Sequence, residues 1–198
     1  MTGLRRMGCG PALLLLFTLL SLGLERCTGP RGESAPDKRR SLYRLPWPAG
    51  RTHLCVQGHH GLVSHRRVSE QHALDFAMPQ GSIVCAARGG RVTEVIDHRD
   101  GHGFRARNNR IIIDHGDGSF GHYLHIRRGG ARVRPGQRVE RGQAIAESGH
   151  VGRSMVPHLH FHVSDGRGRS RPVSFPEVPE ADGIPRMLRT YTSANPRR

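Results

Sequence analysis

Histidines at alternate positions near the end of the chain could build a metal or catalytic site. The stretch PHLHFHV, residues 157–163, places His158, His160 and His162 at every second position. Because side chains alternate across a β-strand, the three imidazoles share one face, and the apolar residues between them face a core. Imidazole binds metal ions and moves protons near neutral pH. The alternative is a polar face that is turned to solvent and binds nothing.

Two further stretches of the sequence supply additional candidate metal ligands. GHYLHI supplies His122 and His125 on a second predicted strand, and HALDF supplies Asp75 between apolar residues. A buried carboxylate is costly unless it is paired or bound to a cation. Zinc takes nitrogen and oxygen ligands tetrahedrally, and a catalytic zinc keeps one position for water. Histidine and carboxylate together therefore predict a zinc site on a β scaffold.

Short β-like runs separated by glycine-bearing turns must position these groups. No stretch keeps a 3.6-residue period, and GDG at 116–118 predicts a hairpin between RIIID and FGHYLHI. The sequence thus predicts an all-β fold, a compact antiparallel sheet or sandwich with a groove. The predicted strand segments are HALDFAM, SIVCAA, GRVTEVI, NRIIIDH, GHYLHI, QRVERGQAIAE and HLHFHV.

Three motifs of the chain resemble peptidase family M23, the zinc metallopeptidases of the lysostaphin and LytM type. They are ALDFAMPQGSIVCAARGGRV, NNRIIIDHGDGSFGHYLHI and VRPGQRVERGQAIAESGHVGRSMVPHLHFHV, in the order and spacing of the family. The resemblance implies an M23-like fold related to the barrel-sandwich hybrid. It also implies one Zn²⁺ ion and hydrolysis of peptide bonds in the stems or cross-bridges of bacterial peptidoglycan.

The resemblance also implies a role for each residue of the site. Asp75 of the DF motif and His160, the second histidine of HLH, are implied as zinc ligands. His158 and His125 are implied as the catalytic pair. One accepts a proton from a zinc-activated water, and the other donates a hydrogen bond to the oxyanion that develops. We expect His158 to be the base. His162 has no role in the family pattern, and we interpret it as a residue that contacts a ligand from outside the metal site or as an exposed histidine.

The third zinc ligand departs from the family pattern. The usual histidine, four residues before the aspartate, is replaced by Gln71. His72 is adjacent, but its odd separation from Asp75 places it on the other face of a regular strand unless a bulge re-aims it. His65 lies in the preceding loop, and we favour it as the third ligand over His72. A site that lacks a ligand and is inactive is the remaining option.

Two other functions compete with hydrolysis. An M23-like domain without catalysis can act as a cell-wall-binding or regulatory module, and Gln71 keeps that alternative open. VRPGQRVERGQAIAE also resembles biotinyl and lipoyl carrier domains. Those carriers need a lysine on a hairpin, and the only lysine here, Lys38, lies in a predicted linker. The carrier function is therefore excluded.

The composition narrows the class of partners. The chain has 31 basic residues, of which one is lysine, and a net charge of +15. This charge predicts attraction to a polyanion such as an anionic cell-wall surface, unless the arginines only reflect codon usage. Aromatic residues make up 5% of the chain, which disfavours a stacking platform for nucleic acid. We expect a monomer that does not bind nucleic acid.

The N-terminus resembles an export signal. Arg5 and Arg6 precede an apolar run at 12–24, which is short for a bilayer span of about 20 residues. This predicts a secreted protein or one of the periplasm or cell envelope, with an uncleaved membrane anchor as the alternative. The predicted parts are a signal peptide at 1–27, a polar linker at 28–50, an M23-like domain at 51–166 and a Pro/Arg-rich tail at 167–198.

Cysteines bear on the compartment as well. Cys27, Cys55 and Cys85 follow the apolar run of the predicted signal. In an oxidising compartment Cys55 and Cys85, which flank the first motif region, could form a disulfide. No CxxC spacing is present that would suggest a zinc site built from thiolates.

Overall fold

The computed structural model describes residues 36–61 and 63–196. The predicted signal peptide at 1–27 lies outside the described residues. Within them the secondary structure is one short 3₁₀ helix, Lys38–Arg40, and twelve β-strands. None of the described helical segments has the length and apolar character needed to cross a membrane. The prediction of an all-β fold is confirmed.

Twelve strands form two antiparallel sheets. The larger sheet has the order β12-β1-β2-β10-β6-β5-β4-β8, with β11 paired to β10, and the smaller has the order β3-β9-β7. Strands β2, β10 and β6 are neighbours at the centre of the larger sheet. The strands are β1 (Thr52–Gln57), β2 (Leu74–Ala77), β3 (Ile83–Cys85), β4 (Gly90–Ile96), β5 (Arg110–Asp114), β6 (Ser119–Leu124), β7 (Ile126–Ala131), β8 (Arg138–Val139), β9 (Ala144–Ser148), β10 (His158–Asp165), β11 (Ser170–Arg171) and β12 (Thr190–Thr192).

Strand β10 shows the predicted alternation of side chains. Leu159, Phe161 and Val163 belong to the hydrophobic core. The histidines between them point to the opposite face, yet they too are buried. A strand that is covered on both faces holds its polar side chains in a protected space, where their interactions are stronger than in water.

The predicted hairpin joins β5 to β6. Gly116 and Gly118 have φ values of 80° and 83°, which glycine adopts without strain. The carboxylate of Asp114 accepts a hydrogen bond from the backbone N–H of Gly116 at 2.8 Å. This turn sets the register of β6, which pairs with β10 on its other side.

The packed domain extends beyond the predicted limits of 51–166. Tyr43, Leu45 and Trp47, from the predicted linker at 28–50, are buried in the core. The predicted tail at 167–198 contributes β11 and β12, and β12 pairs with β1. Apolar residues in both segments pack into the core, although proline and arginine dominate the surrounding sequence.

Two cysteines lie in the core region. Cys55 and Cys85 are both buried, and no disulfide joins them. Cys55 Sγ lies 3.4 Å from the backbone carbonyl of Gln57. The disulfide that the sequence allowed between these two residues is therefore not formed in the structure.

Candidate metal and catalytic site

Strand pairing aligns polar side chains across three strands. Asp75 on β2 is opposite His160 on β10 and opposite Gln57 on β1. His160 Nδ1 lies 2.9 Å from Asp75 Oδ1, and Gln57 Nε2 donates to Asp75 Oδ2 at 3.2 Å. Directly opposite residues of antiparallel strands point to the same face, so the register itself brings these three side chains together.

A loop between β1 and β2 adds His65 to this row. The side chain is fully buried, and Nε2 lies 3.2 Å from Asp75 Oδ2. Nδ1 lies 2.8 Å from the carbonyl of Gly58, to which it donates. In the neutral ring this leaves Nε2 as the nitrogen with the lone pair. Burial alone would lower the pKa of His65, but Asp75 outweighs it and raises this pKa. The contact between Nε2 and Asp75 Oδ2 therefore favours a proton or a metal ion between the two atoms.

His72 occupies a different environment. Its Nδ1 lies 2.9 Å from the carbonyl of Ser170, and its ring packs against those of His59 and His60. Gln71 stands where the family usually has a histidine ligand. Its backbone carbonyl accepts a hydrogen bond from the backbone N–H of His60. The structure thus brings His65, and neither His72 nor Gln71, to the side chain of Asp75.

The side chains of His65, Asp75 and His160 are suited to bind a zinc ion. One ligand atom each of His65, Asp75 and His160 can be chosen so that all lie within 4.8 Å of one another. Tetrahedral ligands of zinc are about 3.4 Å apart, given bond lengths of about 2.1 Å. Two imidazole nitrogens and one carboxylate oxygen match the donor set of catalytic zinc sites, in which the fourth position holds water. Among the described residues no other cluster of this kind occurs.

His158 lies next to this cluster on the same face of β10. It pairs with Ala77 across the strands, and its Nδ1 lies 2.8 Å from the carbonyl of Val156. Its Nε2 lies 3.8 Å from Asp75 Oδ1. Because Nδ1 donates to the carbonyl, Nε2 of the neutral ring carries the lone pair and faces the site.

His125 reaches the site through a break in the sheet. The predicted strand GHYLHI would place it on the opposite face from His122, since the two are an odd number of residues apart. In the structure β6 ends at Leu124, and His125 takes a left-handed conformation with φ of 65°. Its ring then lies 4.4 Å from that of His158, and its Nδ1 lies 2.9 Å from Val151 O. The prediction of a continuous strand is corrected here.

Burial and mutual proximity set the electrostatics of the site. Burial alone would raise the pKa of Asp75, but the neighbouring His65, His158 and His160 outweigh it and hold this pKa well below 3.8. Burial lowers the pKa of His158, and it lowers that of His125 well below 6.5, with nearby imidazoles adding to the effect. Both rings are therefore neutral at pH 7 and can accept a proton.

Asp75, His125, His158 and His160 line a groove that opens to the surface, whereas His65 is fully buried. Phe104 and Met155 at its edge are 78% and 43% exposed. The lining also includes Val63, Glu70, Asn108, Leu124, Arg153 and Ser154. A larger cleft of about 810 Å³ is lined by Arg51, His53 and Arg132 and contains none of the five predicted site residues. The groove therefore contains four of the five predicted site residues, and the larger cleft contains none of them.

Comparison with known proteins agrees with this geometry. The model of peptidase family M23 matches residues 69–173, which is more than half of the chain. The chain belongs to peptidase family M23. This M23 domain contains all the predicted site residues except His65, which precedes the matched region.

Relatives of this M23 protein include proteins of Vibrio cholerae and Pseudomonas aeruginosa. Peptidoglycan DD-endopeptidase ShyA of Vibrio cholerae is 34% identical over 121 residues, which cover 61% of this chain and 26% of that protein. A lipoprotein NlpD/LppB homolog of Pseudomonas aeruginosa is 38% identical over 100 residues, or 50% of this chain and 30% of that protein. The chain thus spans less than a third of the length of these relatives.

A solved structure shares the fold. The zinc-containing peptidase from Vibrio cholerae superposes with a TM-score of 0.50 and 28% identity. The match covers 66% of this chain and 39% of that one. The prediction of an M23-like antiparallel β fold is confirmed.

Sequence reasoning missed two buried polar residues that shape the site. Gln57 donates to Asp75 and to Ser64 Oγ. Asn109 is fully buried, and its side chain donates to the carbonyls of Arg99 and Ile126, while its own carbonyl accepts from His125 N. It thereby holds the turn at His125. A polar residue at the end of an apolar run, as in LCVQ, was the available signal for Gln57.

Proposed function

We propose that this protein is an exported zinc metalloendopeptidase that hydrolyses peptide bonds in peptidoglycan stems or cross-bridges. Family membership and the name of the relative ShyA support a peptidase that acts on peptidoglycan. The observation that carries the proposal is the convergence of two imidazoles and a carboxylate with two further neutral imidazoles in one groove.

His65, Asp75 and His160 are the proposed zinc ligands. When bound, zinc supplies a water with a pKa near 7 and a Lewis acid for the scissile carbonyl. The carbonyl of Gly58 keeps the proton of His65 on Nδ1, so that Nε2 is ready to bind the ion. Gln57 holds one oxygen of Asp75 by a hydrogen bond, and this fixes the carboxylate in orientation.

His158 and His125 are the proposed catalytic pair. The Nδ1–H of each ring donates a hydrogen bond to a backbone carbonyl, so each ring presents Nε2 as an acceptor. Two acceptors can hold the two hydrogens of one water: His158 takes the proton as base, and His125 orients the molecule. A hydrogen bond to the oxyanion requires a proton on Nε2, and the ring that has just taken one from water can supply it. That proton then passes to the leaving amine.

Purified peptidoglycan tests the activity directly. We expect the zinc-loaded protein to release new amino termini from isolated cell walls, with close to one zinc per chain. A chelator removes the proposed ion, so it should abolish the release, and added zinc should restore it. The measurement is amino-group release together with metal analysis of the same sample. Walls that stay uncut by fully zinc-loaded protein would refute the hydrolase.

A wall-binding module without catalysis is the second candidate function. The replacement of the usual ligand by Gln71 favours it, and so does similarity to a protein described as a lipoprotein. Such a module should sediment with cell walls equally well with zinc and with chelator, and it should leave them uncut. The experiment above therefore separates the two candidates.

Charge supports a location at the cell envelope. The chain carries +15, and exposed arginines lie beside the groove at Arg105 and Arg107 and in the loop of His65 at Arg66 and Arg67. Similarity to ShyA and to a lipoprotein supports the same location and an anionic wall surface as partner. We propose export through the predicted signal peptide at 1–27.

Binding of the protein to isolated walls should weaken as salt rises. Exposed charges are screened over about 10 Å at 0.1 M salt, so a contact through surface arginines loses strength at higher concentrations. Sedimentation of the protein with walls across a salt series measures this. Replacement of Arg105 and Arg107 by Gln should shift the curve to lower salt. Binding that is independent of salt would mean that the arginines do not hold the wall.

A further inference from the structure

His162 contacts the proposed zinc ligand His160 at the ring nitrogen that does not face Asp75. Its Nδ1 lies 3.1 Å from His160 Nε2, on the side of the His160 ring that faces away from Asp75. Both rings are buried, and they meet edge to face at 5.2 Å between centroids. His160 is thus held at both nitrogens, by Asp75 at Nδ1 and by His162 at Nε2.

The ring of His162 is itself fixed in place. It is directly opposite His122 on β6, and the two rings stack at 4.3 Å with an angle of 8°. His122 Nε2 in turn lies 2.8 Å from Ser164 Oγ. Two stacked imidazoles repel each other if both are charged, so this arrangement suits a neutral His162. A neutral imidazole has one donor nitrogen and one acceptor nitrogen.

Binding of an ion at His160 Nδ1 requires the proton of that ring to change position. With both rings neutral, His160 Nδ1 donates to Asp75 Oδ1, and His160 Nε2 then accepts from Nδ1–H of His162. A metal ligand needs the lone pair on Nδ1, so the proton of His160 then sits on Nε2. His162 must now accept at Nδ1, and its own proton moves to Nε2. This change of tautomer in both rings leaves the number of protons on the pair unchanged.

We infer that His162 is a positioning residue that serves His160 in both states, as donor without the ion and as acceptor with it. This inference rests on the proposed function, since it takes His160 as a zinc ligand. A partner that fixes the proton on the far nitrogen of a ligating histidine raises its basicity and sets its orientation. The family pattern gave this position no role, and the sequence alone left His162 either as a residue that contacts a ligand or as an exposed histidine.

Two substitutions at His162 separate hydrogen bonding from packing. Leucine fills the space but can neither donate nor accept, so His162→Leu should bind zinc about 10- to 100-fold more weakly. Glutamine can present either its amide NH₂ or its oxygen, so His162→Gln should keep most of the affinity. Competition with a chromophoric chelator measures zinc affinity, and the visible spectrum of the Co²⁺-loaded protein reports a change in the ligand field.

His122→Leu is the matched control. His122 stacks on His162, but its hydrogen bond is with Ser164 and not with His160. This variant should keep most of the zinc affinity of the wild type, because leucine still packs against the ring of His162 and the hydrogen bond between His162 and His160 remains. Thermal unfolding in chelator shows whether each variant is folded. Wild-type affinity in His162→Leu would overturn the inference, and so would equal losses in folded His162→Leu and His162→Gln. If the wild type binds zinc and cuts walls while His162→Leu is unaffected, the proposed function survives and only this inference fails.

Discussion

Replacement of His65 by alanine should remove zinc and activity together. His65 Nε2 is buried and lies 3.2 Å from Asp75 Oδ2, so a metal ion can bind both side chains in place of a proton. Without His65, two protein ligands remain. Mutation of a residue that only hydrogen-bonds to a ligand typically lowers metal affinity about 10- to 100-fold, and we expect a larger loss here. Zinc content after dialysis and release of amino termini from walls measure the effect.

His72→Ala is the control for this experiment. His72 is close to Asp75 in sequence, but it donates to the carbonyl of Ser170 and packs on His59 and His60. It should therefore keep most of the zinc and most of the turnover. The reverse result, with metal lost from His72→Ala and kept in His65→Ala, would show that the loop of His65 does not build the site.

Most of the central site could be predicted because strand geometry is regular. The two-residue period of β10 placed His158 and His160 on one face and Leu159 and Phe161 in the core, as the structure has them. A carboxylate within the apolar run of β2 needed a partner, and the register supplied His160. For these residues, local rules of the strand and the cost of burying charge were sufficient.

The loop residues could not be fixed in the same way. His65 lies ten residues before Asp75, and no period relates a loop to the strand that follows it. Spacing could exclude a regular strand position for His72, but it could not show that the carbonyl of Gly58 would orient His65. The choice between the two ligands depended on tertiary contacts, and the sequence therefore only favoured one of them.

The turn at His125 illustrates a different limit. A non-glycine residue at positive φ typically costs about 1 kcal/mol or more, so a strand reading of GHYLHI is the locally preferred one. The buried side chain and carbonyl of Asn109 hold the strained turn through hydrogen bonds with the carbonyl of Ile126 and the N–H of His125. Local preference is overruled by residues that are distant in sequence, and the effect is to bring His125 to the face of His158.

The packing of the segments outside 51–166 was hard to predict for a related reason. Proline and arginine around Tyr43, Leu45 and Trp47 resemble a linker, and those after Gly166 resemble a tail. The reason that both segments pack against the sheet appears only in the folded structure, where their apolar residues belong to the hydrophobic core. Composition averages over a segment, whereas packing depends on a few side chains within it.

His158→Ala and His125→Ala should keep zinc and lose turnover. Neither ring belongs to the proposed ligand cluster, and both present an unprotonated Nε2 to the groove. Loss of a general base typically slows a reaction by about 100- to 10,000-fold. We expect His158→Ala to show the larger loss if it takes the proton and His125 only orients the water. Zinc content and the rate of amino-group release should be measured on the same preparations.

His102→Ala is a suitable control for this pair. His102 is exposed and stacks on His150 near the groove, so its loss removes an imidazole from the same region without touching the proposed water. It should keep both zinc and turnover. Loss of zinc from His158→Ala or His125→Ala would place that residue among the ligands instead. Full turnover in both would mean that the two neutral imidazoles, although held at their Nδ1 atoms and aimed into one groove, take no part in moving the proton.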